Sequence, residues 1–143
     1  VFLVLIFFQI SIGAFVSGMD AGKIYNTWPL MGNNYFPDDN KFINLFHFNA
    51  FSDPSLVQFM HRNLAYLILF FYFIILFNVY INKKNSFFNI IKLIGLILFI
   101  QISLGIFTLL YGAQIFLSSM HQISSIFLVS SSVYFYYLNS RSN

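Results

Sequence analysis

Four apolar runs, each eighteen or more positions long, alternate with one long polar loop and two short polar turns. The runs cover residues 1–18, 55–80, 87–110 and 115–138, and the long loop covers 19–54. A hydrocarbon core of ~30 Å takes ~20 helical residues. The pattern therefore predicts an all-α integral membrane fold, a four-transmembrane-helix bundle forming one domain over residues 1–143. The second span has a defined start: Asp53 suits the N-cap, and Pro54 suits a first turn that needs no N–H. Ser86 is the expected cap of the third span.

Composition agrees with a membrane solvent. The chain is 59% hydrophobic and 8% charged, with 21 Phe and no Glu; its mean hydropathy is +0.77. Cysteine is absent, which excludes disulfides, thiolate ligands and a Cys nucleophile. The net charge of +3 is small and dispersed, so nucleic acid is not an expected partner. Val1 opens directly inside an apolar run with neither an initiator Met nor a basic leader. That start reads as a piece of a longer membrane protein; the alternative is a complete four-helix protein with its Met removed.

Charge also sets an expected orientation. Lys83, Lys84, Lys92 and Arg141 gather at one face, the cytoplasmic or matrix side by the positive-inside rule. All four acids (Asp20, Asp38, Asp39 and Asp53) fall in loop 19–54 at the opposite face. The C-terminus is then expected on the cytoplasmic or matrix side.

Spans two and four each carry a histidine six residues after their outer start, His61 after Ser55 and His121 after Ile115. At ~1.5 Å per residue both lie roughly 9 Å down their helices. A titratable side chain inside a bilayer is costly, which makes it a functional candidate by default. Equal depth suits two ligands of one planar cofactor, a heme iron held by two imidazoles. Zinc would want three or four ligands, and no third His, Cys or acid shares that depth. The competing reading is that each His bonds a neighbouring helix. One turn outward from the pair lie Gln58 and Ser118, candidates to orient the imidazoles; one turn inward lie the small Ala65 and Ser125. His47 sits in the outer loop between Phe46 and Phe48, where an interfacial role is expected. Arg62 lies at the outer face against the charge rule. It calls for a loop Asp or a heme propionate as partner, or reaches lipid headgroups.

The chain also repeats itself. Gln9, Ile10, Ser11, Gly13 and Phe15 of span one match Gln101, Ile102, Ser103, Gly105 and Phe107 of span three. Each of these spans is followed by one that carries Met-His near its start. Two copies of a helix pair result, and sites often sit between such repeats. Gly13 and Gly105 leave room for close approach of helices or a cofactor.

Three stretches carry a family resemblance: GAFVSGMDAGKIYNTWPLMG (13–32), NLFHFNAFSDPSLVQFMHRNLAYL (44–67) and QISLGIFTLLYGAQIFLSSMHQ (101–122). Together they resemble the C-terminal half of heme A synthase, in the form found in mitochondria and alphaproteobacteria. The specific motifs are DAG-x-x-YNT-x-PLMG and VQF-x-HR. The resemblance covers essentially all 143 residues, but half of a family member built from two related four-helix halves. It implies an oxidoreductase that converts the C8 methyl of heme O to a formyl, giving heme A for cytochrome oxidase. It further implies that this half holds a heme b through His61 and His121 as axial iron ligands, with Arg62 on a propionate, and passes electrons.

By the same resemblance, substrate heme O and a glutamate important for catalysis belong to the N-terminal half. The position matching that glutamate is here Gln58, so this half carries no catalytic residue of its own. The implied partners are the lipid bilayer, heme O, and a heme O synthase or a second copy of the chain. The implied location is the mitochondrial inner or bacterial cytoplasmic membrane. Phe46-His47-Phe48 stands where many relatives read FEN, and the cysteine pair of some members is missing. The alternative function is a non-enzymatic, cytochrome b-like electron carrier with two axial His; a bundle without cofactor is a third.

Overall fold

A computed structural model describes residues 1–141. Among the described residues there are four long helices: α1 (Phe2–Gly18), α2 (Pro54–Ile81), α3 (Phe88–Leu110) and α4 (Ile115–Arg141). Local chemistry explains their ends. Asp53 caps α2 by accepting from the Leu56 N–H at 3.0 Å, and Pro54 occupies the first turn. Ser86 is not a cap. A 3-10 turn over Asn85–Phe87 leads straight into α3, whose N-cap is Phe87 with no side-chain bond. Gly112, at φ +69°, lets the chain leave α3 left-handed, and the Ala113 N–H reaches back to the Thr108 carbonyl at 2.7 Å.

The fold is all-helical, and two segments are long and apolar enough to cross a membrane, Pro54–Ile81 and Asn85–Leu110. α1 is apolar, but its 17 residues span only about 25 Å. α4 has the length but carries eight serines. Several hide their polarity by bonding back within the helix: Ser131 to the Phe127 carbonyl at 2.8 Å, and Ser132 to the Leu128 carbonyl at 2.7 Å.

The helices form a ring in chain order. α1 packs most closely on α2 and α3 on α4, and contacts of α1 with α4 and of α2 with α3 close it. α2 and α4 therefore stand on a diagonal. The packed core lies toward the Lys83–Lys84 turn, built from Ile6, Ile68, Tyr72, Ile91, Ile94 and Leu128. At the other end, the loop end, the buried helical residues are Ser55, Leu56, Val57 and Gln58 of the first turn of α2. There the long loop, not a neighbouring helix, supplies much of the cover.

Between apolar helices in lipid, close fit replaces the hydrophobic drive. Tyr72 shows the fit: its phenol lies on Gly95 and donates to the Ile91 carbonyl at 3.3 Å. A Cβ at Gly95 would occupy the hydroxyl's place. Alanine gains about 1 kcal/mol in helix propensity, but overpacking costs ~1–3 kcal/mol. Gly95→Ala should thus lower the melting temperature in detergent, and Tyr72→Phe in the same chain should restore part of the loss. Equal losses with and without the hydroxyl would show that the phenol is not the obstacle.

Candidate functional site

The loop is fastened onto the first four turns of α2 by side-chain hydrogen bonds. Ser55 donates to Asp39 at 2.6 Å, and Gln58 donates to the Tyr25 carbonyl at 3.1 Å. Trp28 Nε1 reaches the Tyr66 hydroxyl at 3.0 Å, and the Tyr35 hydroxyl donates to Asn63 at 2.6 Å. Burial raises the Asp39 carboxyl, but hydrogen bonds led by Ser55 outweigh it and hold the group below the ordinary carboxylate value. Partial desolvation, then the nearby Asp39 charge, push the Tyr25 phenol up. Trp28 and Tyr35 are thus clamps onto α2, a role their aromatic character alone does not reveal.

Arg62 is the centre of this fastening. Its guanidinium donates to the carbonyls of Thr27 (3.0 Å), Leu30 (3.2 Å) and Tyr25 (3.0 Å). Its Nε is buried and has no partner. Three carbonyls drawn from a turn are a fit for the rigid arginine fork and a poor one for lysine. Arg62→Lys should loosen residues 25–35, seen as faster limited proteolysis there, and Arg62→Ala should cost roughly 2–3 kcal/mol of stability. Unchanged cleavage in both variants would show that the loop holds without the fork.

The two histidines come from the diagonal helices, and each meets the helix that precedes its own. The Gln9 amide Nε2 on α1 lies 3.2 Å from His61 Nε2 and also donates to the His61 carbonyl at 3.1 Å. The Gln101 amide Nε2 on α3 lies 3.4 Å from His121 Nε2. An amide N–H can only donate, so in both contacts Nε2 is the acceptor and the proton belongs on Nδ1. Both Nδ1 atoms are buried without a partner. The His61 carbonyl, which only accepts, fixes which end of the Gln9 amide faces its ring; the single Ser124 proton goes to the Gln101 carbonyl oxygen or to the His121 carbonyl (2.9 Å).

The glycines of the repeat complete each arrangement. A Cβ built on Gly13 would stand 3.1 Å from His61 Cε1, and one on Gly105 would stand 3.0 Å from His121 Cε1. Each ring edge therefore rests on a bare α-carbon. The repeat in the sequence is a repeat in space, a Gln-Gly-His triad on each helix pair.

Gln58 does not orient His61, because its amide is spent on Tyr25. The residues that reach the imidazoles are Gln9 and Gln101, and their matching register was the available signal. His47 is exposed between two 3-10 turns, Phe42–Phe46 and Phe48–Ser52.

The arrangement offers two imidazoles, one from each of the diagonal helices. Among the described residues there is no group of three or more His, Asp or Glu that could hold a bare metal ion. A planar metal-centred group needs only two axial donors, and the residues present fit one. Both Nδ1 atoms lack partners, and each Nε2 is held by nothing stronger than an amide.

Comparison with known proteins gives the kinship. A family model described as cytochrome oxidase assembly protein, COX15-CtaA, matches residues 1–133. Heme A synthase of Pelagibacter ubique (strain HTCC1062) is 44% identical over 96% of this chain and 40% of that protein. Heme A synthase of Wolbachia pipientis wMel is 42% identical over 94% of this chain and 37% of that protein. Heme A synthase of Rickettsia bellii (strain OSU 85-389) is 38% identical over 95% of this chain and 40% of that protein. The chain thus spans about two fifths of the length of the curated relatives it matches. No solved structure matches it. With nearly its whole length matched, this chain belongs to the COX15-CtaA family of cytochrome oxidase assembly proteins.

Proposed function

We propose that this chain is the cofactor-holding half of a heme A synthase, which oxidises the C8 methyl of heme O to a formyl. In this reading His61 and His121 would hold a heme b through its iron. The observation that carries it is the pair of equivalent imidazoles on diagonal helices, each with an amide-held Nε2 and a shielded, unpartnered Nδ1. The relatives named heme A synthase supply the reaction.

A heme held here would supply one-electron redox chemistry, which the oxidation of a methyl group calls for because its electrons require an acceptor. The chain's own residues bind and orient. α2 and α4 present the two rings, Gly13 and Gly105 set their edges, and the loop pinned by Arg62 screens the first turns of α2 from water. Arg62 Nε, buried and unpartnered, is the donor left for a propionate. Gln58 stands one turn before His61 with its amide on Tyr25, so no acid acts at that level, and methyl oxidation is assigned to the other half.

Residues 1–143 form this half-domain, with four spans, the loop outside and the C-terminus on the cytoplasmic or matrix side. The segregation of Lys83, Lys84, Lys92 and Arg141 from all four acids supports that orientation. The back-bonded serines support α4 as a span. A second copy of the chain or a heme O synthase is the partner class this reading admits.

The test is the heme content of membranes that make heme O and express the full-length protein. Heme A should appear in the extract, separated by chromatography. Bound heme without any heme A would favour the cytochrome b-like carrier.

A further inference from the structure

Gln9 and Gln101 are unlike ordinary outer partners of a metal-ligating histidine. Such partners hold the nitrogen that the metal leaves free. These two amides hold Nε2 (3.2 and 3.4 Å), while Nδ1 is free on both rings. The Cβ position built on Gly13 lies 3.7 Å from His61 Nδ1, and the one built on Gly105 lies 3.6 Å from both ring nitrogens of His121. Nδ1 is the nitrogen beside Cγ, where the residue's own Cβ and helix crowd an approaching metal, whereas Nε2 stands at the tip of the ring. Nε2 is therefore the nitrogen that has to serve, and it is the one already engaged.

We propose that Gln9 and Gln101 are stand-ins for the metal: each amide occupies the Nε2 lone pair in the heme-free chain and yields it when the ring becomes a ligand. This rests on the two-histidine heme reading. The amide donation does two things. It keeps the proton on Nδ1, so the lone pair that a metal needs is already exposed. It also satisfies a buried acceptor that would otherwise be orphaned, at the cost of competing with the metal for one lone pair.

That competition fixes the sign of the test, which is opposite to that of an ordinary orienting residue. The other bonds of these amides, Gln9 to the His61 carbonyl and Ser124 to Gln101, do not involve Nε2. In the proposal these bonds persist on both sides of heme binding, so their loss cancels when the two states are compared. Only the Nε2 contact differs between them.

The experiment uses the full-length protein in detergent, heme-free and loaded with heme b. Gln9→Leu and Gln101→Leu should each lower the melting temperature of the heme-free form more than that of the loaded form. Each should also tighten heme b binding on the order of tenfold, the equilibrium effect of a buried acceptor left unmade in the free state. If a heme-free variant does not fold, heme loss from the loaded variant to an excess of a scavenging globin replaces the titration. Loss at the wild-type rate or slower supports the stand-in. Weaker binding, faster heme loss, or equal destabilisation of both forms overturns it and makes the glutamines plain orienting residues. A wild-type protein that takes up no low-spin heme overturns the two-histidine reading as well.

Discussion

His61→Ala and His121→Ala should each abolish the low-spin, two-imidazole heme spectrum of the full-length protein, while the fold persists. The expectation follows from what each ring does for the bundle. Neither contributes to the packed core, which lies toward the Lys83–Lys84 turn. Each makes one amide contact through Nε2 and leaves Nδ1 unpartnered, so removing the ring sheds an orphan polar atom along with that contact. The structural cost is therefore small for a half-buried side chain. The cost to cofactor retention is large. Losing an outer partner of a metal-ligating His already weakens binding 10–100-fold, so losing the ligand itself should cost on the order of a hundredfold or more. Free imidazole diffusing into the space left by the truncated side chain should restore part of the low-spin signal in either single variant. The measurements are the absorption spectrum, the low-spin paramagnetic resonance signal and the melting curve. A variant that keeps wild-type low-spin heme would remove that histidine from the ligand set.

The long helices and the start of α2 are legible in the sequence because they rest on additive local signals. An apolar run is visible in any window, and Asp53-Pro54 announces a helix start without knowledge of the rest of the chain. The loop is not legible in the same way. Arg62 bonds the carbonyls of Tyr25, Thr27 and Leu30, and every residue type carries a carbonyl. No choice among an acid, a propionate or a headgroup could anticipate partners without a side-chain signature. Ser86 illustrates a different loss. As a cap candidate it is sound, but the 3-10 turn over Asn85–Phe87 carries the chain into α3 without using its hydroxyl.

The candidate site divides along the same line. The histidines stand out as polar residues in apolar helices, and the repeat marks Gln9 with Gln101 and Gly13 with Gly105 as equivalent. Equivalence says that two residues do the same thing and leaves open what that is. Spacing along α2 and α4 points to Gln58 and Ser118 as neighbours of the imidazoles, since helical periodicity sees only one helix. The residues that touch the rings come from the adjoining helix, and only packing reveals them.

Gly13→Ala and Gly105→Ala should perturb the imidazoles without harming the helices, and to similar extents. A glycine within a helix usually costs about 1 kcal/mol relative to alanine, so substitution would by itself strengthen α1 and α3. The obstacle is the ring. At 3.1 and 3.0 Å the new methyl would crowd Cε1 of His61 or His121, and the imidazole would have to move by a few tenths of an ångström. Its backbone anchor and the glutamine beside it do not move with it, so the ring rotates and tilts. A tilted donor is a poorer axial ligand, and second-sphere changes of this kind cost on the order of tenfold in retention. The expected result is heme that remains low-spin but is lost faster, with its resonance signal and midpoint potential displaced in both variants. Gly18 provides the control on the same helix, since a Cβ there meets nothing within 4 Å. Gly18→Ala should leave heme properties unchanged. If all three variants behave alike, the glycines serve helix approach in general. If Gly13→Ala and Gly105→Ala stand apart from Gly18→Ala, the repeated glycine exists for the histidine, and the two halves of the repeat are two copies of one ligand-positioning unit.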